Sequence, residues 1–98
     1  MHATIRRYDS RELADQLAAR ADEVERLMSQ VHGLRSYHLV HTDDGCTSIT
    51  VCDDQAGVDQ SAQVAGTWIA DNLPSLAGAR PQVSGGEILA HTSGAVTA

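Results

Sequence analysis

Residues 34–42, LRSYHLVHT, and residues 46–52, CTSITVC, alternate as strands do, and the DDG between them is a turn signal. A hairpin in the middle of a 98-residue chain leaves 33 residues before it and 46 after it, and each side carries one helical period. Before the hairpin, residues 10–31 space Leu13, Leu17, Val24, Leu27, Met28 and Val31 as one apolar stripe. Asp9 offers the N-cap with Glu12 three residues on, and Gly33 suits a left-handed stop. After the hairpin, Asp53 or Asp54 caps a second helix with Val58, Ala62, Ala65, Ile69 and Leu73 on one face, ended by Pro74. Residues 2–8, HATIRRY, and 82–91, QVSGGEILAH, read as the outer strands, the last one bulged or bent at Gly85–Gly86. The order is β-α-β-β-α-β, an α+β, ferredoxin-like arrangement. It predicts a four-stranded antiparallel sheet with two helices on one face. Residues 1–91 make one domain, and residues 92–98 are expected to be a flexible tail.

The second face of such a sheet has nothing in the chain to cover it. Its strands nevertheless carry apolar residues on both parities, Leu39 beside Val40 and Ile88 beside Leu89. The core is also thin, with no Phe, one Trp and two Tyr. Both features point to a homodimer formed through the open sheet face. A formal charge of −6, seven scattered arginines and no lysine speak against nucleic acid or an anionic membrane as partner. No apolar run approaches the roughly 20 residues of a membrane span. MHATIRRYD lacks the apolar core of a secretory signal, so a reducing cytoplasm is the expected location.

The hairpin is rich in metal-binding residue types, yet its spacing excludes a metal. Cys46 and Cys52 stand six residues apart on one strand, about 20 Å, whereas a metal's ligands converge on one point. His38 and His41 have opposite parity and face opposite ways. The aspartates sit where a turn and a helix cap require them. Two registers are open. A two-residue Asp44–Gly45 turn places His38, Val40, Ile49 and Val51 on one face. A three-residue turn groups Tyr37, Leu39, Ile49 and Val51, with His38, Val40, Cys46 and Cys52 opposite; it separates apolar from mixed residues more cleanly and is favoured here.

The element order, ATIRRY opening the chain, Gly33-Leu34 starting strand two, CDDQAG leading into the helix with Trp68, and GEILAH closing the sheet resemble the dimeric α+β barrel superfamily. Within it, residues 1–91 are most similar to antibiotic-biosynthesis-monooxygenase-like proteins. The resemblance implies a homodimer, a pocket between sheet and helices in each subunit and, in some members, cofactor-independent oxygenation of phenolic or polyketide-like substrates. Haem-degrading relatives combine a helix-borne Trp with an Asn on strand one and a His on or after helix two. Here strand one has Arg6 and Arg7, and no His lies between His41 and His91.

Five residues are candidates for the pocket. Trp68 lies on the shoulder of the second helix's stripe, where it can stack on a flat ligand. Arg20 falls near the centre of the first helix's stripe and is either a snorkelling side chain or an anchor for a phenolate or carboxylate, with Glu87 as a possible partner. Tyr37 and His38 offer hydrogen bonds. Arg7 is the fifth, although parity shows only that one of Arg6 and Arg7 faces the helices. The expected function is binding of a small aromatic, polyketide-like molecule by a protein that needs no cofactor or metal, with monooxygenation as the reaction. The alternative is a non-catalytic, ligand-binding or accessory dimer.

Overall fold

The computed structural model describes residues 1–78, 80–92 and 94. Its elements are β1 (His2–Tyr8), α1 (Arg11–Ala19), α2 (Ala21–Met28), β2 (Leu34–His41), β3 (Cys46–Cys52), α3 (Gln55–Asn72), a 3-10 turn at Pro74–Leu76, and β4 (Gln82–Glu87). The strands form one antiparallel sheet in the order β2-β3-β1-β4. Three helices cover one face, where the ferredoxin-like pattern predicted two.

The extra helix arises at Arg20, where the backbone leaves helical geometry (φ −120°, ψ 27°). Arg20 N donates to Leu17 O at 3.1 Å, and Arg20 O accepts from Val24 N at 3.0 Å, so one residue closes α1 and opens α2. A straight helix would drive the guanidinium into the Leu13–Leu17 stripe. The break leaves it half-buried at the junction instead. The apolar spacing runs through the break without a gap, so periodicity could not reveal it.

Caps came out one residue later than the first aspartate offered in each case. Ser10 caps α1, accepting from Leu13 N at 3.1 Å, while Asp9 accepts from Arg7 Nε at 3.2 Å. Asp54 caps α3, accepting from Gly57 N at 3.0 Å, and Asp53 pairs with Arg35. Gly33 has the expected positive φ, 74°.

The hairpin takes neither expected register. His41 pairs with Cys46, Leu39 with Ser48 and Tyr37 with Thr50. Thr42 N donates to Gly45 O at 2.8 Å, so Asp43 and Asp44 form the turn. Gly45 is required for space and not for turn geometry. A Cβ there would lie 1.9 Å from Tyr8 O and 2.7 Å from Ser10 N, because the hairpin tip rests on the β1–α1 junction. The faces are nevertheless those of the two-residue alternative and not of the favoured one: Tyr37, Leu39, Cys46, Ser48 and Thr50 share the helix side, and His38, Val40, Ile49 and Val51 share the open side.

β4 pairs with β1 without a bulge and ends at Glu87, short of the expected residue 91. The irregularity lies in β2 instead, between Leu34 and Ser36. The expected tail, residues 92–98, falls mostly outside the described residues. Among the described residues no helix is long and apolar enough to cross a membrane. The core joins Leu13, Leu17, Val24, Met28, Val58 and Trp68 to the helix side of the sheet.

Candidate functional site

An antiparallel sheet with one open face normally buries its apolar parity and wets its polar one. The two central strands of this sheet depart from that rule. Against the helices lie Thr4, Arg6 and Tyr8 of β1 and Ser48 and Thr50 of β3, all buried, with half-buried Tyr37 of β2 beside them. The open side carries Ile5, 41% exposed, and Val40, 44% exposed, with Ile49 and Val51 between them half-buried. A hydroxyl-rich inner face packs poorly against leucine and valine, and a space remains.

That space has two parts. A void of about 30 Å³, the room of one water molecule, lies under α3 and is lined by Arg6, Tyr8, Tyr37, Ser48, Thr50 and Trp68, with apolar walls from α1 and α2. A cleft of about 420 Å³ opens beside it between α1, α2 and the β2 edge. Ala14, Ala18 and Ala21 keep that cleft wide, and Val24, Tyr37 and Leu39 border both parts. At the cleft wall His41 Nε2 lies 3.1 Å from Asp15 Oδ1. The cleft alone falls within the 300–1,000 Å³ typical of small-molecule sites.

Burial governs the titration of these groups. It pushes the Tyr37 phenol up to about 12, helped by neighbouring Tyr8 and Cys46 and opposed by the positive charge of Arg6. Burial raises Tyr8 as well, again against Arg6. The buried free thiols of Cys46 and Cys52 are raised for the same reason, which keeps them as weak nucleophiles. Among the described residues no three His, Cys, Asp or Glu side chains are grouped to hold a metal ion.

The Tyr37 shift has a checkable consequence. A phenol whose folded pKa is raised keeps its proton while the unfolded chain begins to lose it near 10. Stability therefore falls as pH rises from about 10 toward 12, because the unfolded state binds fewer protons over that window. Urea midpoints should drop across this range in the wild type and drop less in Tyr37→Phe. An identical fall in both would remove Tyr37 as the cause.

Of the five expected pocket residues, Trp68 and Tyr37 line the void. Arg20 does not; its guanidinium sits 5.6 Å from the centroid of the Trp68 ring, bracing that ring from the helix junction. Its suggested partner Glu87 is across from His2 at the other end of the sheet. His38 and Arg7 are exposed on the open side, where His38 faces Ile49 and Arg7 pairs with Asp9. The register and the strand parity carry both away from the pocket. Two residues take their place. Arg6, 9% exposed, is the inward arginine of the pair, and His41 is the histidine at the cleft. Sequence parity paired Arg6 with Thr4 and Tyr8 but could not say which parity turned inward.

No protein-family model matches the chain, and no curated protein sequence does. Solved structures do. MhuD, as a mutant with two manganese protoporphyrin IX bound per active site, matches at 14% identity and TM-score 0.66 over 96% of this chain and 100% of its own. A dimeric ferredoxin-like protein from an uncultured marine organism matches at 14% and 0.61, over 94% and 95%. The monooxygenase ActVA-Orf6 of Streptomyces coelicolor, solved with nanaomycin D, matches at 16% and 0.55, over 99% and 89%. The fold shared with these proteins is the ferredoxin-like α+β fold. At these identities the likeness shows the fold alone.

Proposed function

We propose that the chain binds a small aromatic, polyketide-like molecule between its helices and its sheet, and that it acts on this molecule as a cofactor-independent monooxygenase. The inverted sheet carries the reading. Hydroxyls and a guanidinium on the helix side, beside Trp68 and an open cleft, weaken the core and suit a ligand. The oxygenase of the same fold solved with nanaomycin D supports the substrate class.

Such a reaction draws its electrons from the substrate. A methylene activated by flanking phenol rings loses two C–H bonds to one O₂; one oxygen stays as the new carbonyl and the other leaves as water. The protein's work is to stack the ring on Trp68, exclude water, and place a positive group near the developing anion and a base near the C–H. Arg6 supplies the charge, and His41, oriented by Asp15, is the base nearest the ligand space. An oxygen electrode should record one O₂ consumed per anthrone, and His41→Ala should slow uptake by about 10²-fold or more.

One observation favours the second reading, binding without catalysis. Among the described residues no carboxylate or imidazole lines the void itself. Under that reading an anthrone quenches the fluorescence of Trp68, the sole tryptophan, but no oxygen is consumed.

The assembly we propose is a homodimer through the open sheet side, where Ile5, Val40, Ile49 and Val51 gather. Contiguous exposed apolar surface of this kind marks an interaction site. Sedimentation should give the mass of two chains for the wild type and of one for Ile49→Glu. A single-chain mass for the wild type at micromolar concentration would end the dimer proposal.

A further inference from the structure

The open side of the sheet has a middle row. In register, His38 of β2, Ile49 of β3, Ile5 of β1 and Ser84 of β4 stand side by side across all four strands. Neighbours in such a row have their Cβ atoms about 5 Å apart. A partner seated on the two isoleucines therefore reaches His38 as well.

Among the described strand residues of this side, His38 and Arg7 are the ionisable ones. Arg7 Nε donates to Asp9 Oδ1 at 3.2 Å, so its charge is answered on its own chain. With Arg7 and Asp9 cancelling, the whole formal net charge of −6 lies elsewhere on the molecule. A twofold contact uses one patch twice and sets each charge near its like, which is costly. An uncharged side on an acidic molecule suits a second copy of the chain.

That neutrality depends on His38, because imidazole is the side chain whose charge changes between pH 5 and 8. His38 is exposed in the single chain and enters none of the ion pairs among the described residues. Its same-side neighbours on β2 are Ser36 and Val40, and β3 offers Thr47, Ile49 and Val51. Arg35, also on β2, is held by Asp53. Asp43 and Asp44, at the hairpin tip, stand five and six residues along, about 17 Å or more away. Covered as a neutral ring, His38 is a small polar group beside an isoleucine. Covered as a cation, it is a charge with no anion, and burial disfavours that form.

We propose that the open sheet side closes on a second copy only while His38 is neutral, so that the dimer comes apart as the medium turns acidic. This rests on the sheet-side dimer proposed above and adds its control. The dimer holds fewer protons than two separate chains, so association weakens as pH falls.

Sedimentation equilibrium of the full chain at pH 7.5 and 5.5, at one ionic strength, tests this. With two histidines covered per dimer, the wild-type dissociation constant should rise about 100-fold between the two. His38→Gln should dimerise equally at both pH values, and His38→Arg should remain a single chain at both. His32→Gln, exposed in the α2–β2 connection, should behave as the wild type. An unchanged or tighter wild-type constant at pH 5.5, or a weakening that persists in His38→Gln, would overturn the inference and leave the dimer standing. So would a circular dichroism spectrum that changes between the two pH values, since unfolding would then explain the loss. A single-chain mass for the wild type at both pH values would end the dimer reading itself, and this inference with it.

Discussion

Replacing Arg6 by methionine is expected to raise the unfolding midpoint. Methionine keeps the length and most of the volume of the arginine stem, so the packing against Tyr8 and Trp68 survives. What disappears is a buried charge with no ion-pair partner among the described residues. Exchanging buried ionic groups for apolar ones of similar volume commonly stabilises, here by about 2 kcal/mol. In a chain of this size that corresponds to roughly 10 °C. A residue whose removal strengthens the fold is kept for what it binds, which under the proposed function is the anion developing on the substrate. A fall of similar size on Arg6→Met would mean that Tyr8 and the surrounding hydroxyls stabilise the guanidinium fully, and its assignment to the ligand would lapse. Circular dichroism melts of both proteins separate the two outcomes.

Gly45→Ala is expected to cost about 3 kcal/mol or more, a large fraction of the total stability of a small domain. The added methyl would lie 1.9 Å from the carbonyl oxygen of Tyr8 and 2.7 Å from Ser10 N. Both are backbone atoms, so no side chain can turn aside. The hairpin tip and the β1–α1 junction must separate, and Ser10 is drawn off its cap on Leu13 N. Gly66→Ala is the control. With open space around it and a helical backbone, it should be neutral or stabilise by up to about 1 kcal/mol. A urea midpoint for Gly45→Ala within error of wild type would show that the tip does not rest on this junction.

These two residues also mark where reading the chain succeeds and where it stops. Gly45 was legible as part of a turn, because DDG between alternating segments is a local signal. Its actual role depends on Tyr8 and Ser10, some thirty-five residues earlier, which no local pattern reports. Arg6 was legible only as one of two arginines of opposite parity. Arg7 entered the candidate set, and the structure turned Arg6 inward. His38 and His41 exchanged places by the same rule, since a shift of one residue in the hairpin register sends every side chain to the other face. The favoured register sorted apolar from mixed residues, assuming that a core prefers the apolar set. This sheet buries the polar set, so the assumption failed where a ligand site and a proposed interface compete with core packing.

From the sequence alone follow the order β-α-β-β-α-β, the helix caps to within one residue, the left-handed Gly33, and the ferredoxin-like fold. All of these rest on interactions within a few residues along the chain. The break at Arg20, the register of β2 on β3, the inward turn of Arg6 and the bracing of Trp68 by Arg20 were decided only by tertiary structure. Each depends on which of two equivalent faces meets the helices, and that choice is made by contacts between segments far apart in the chain.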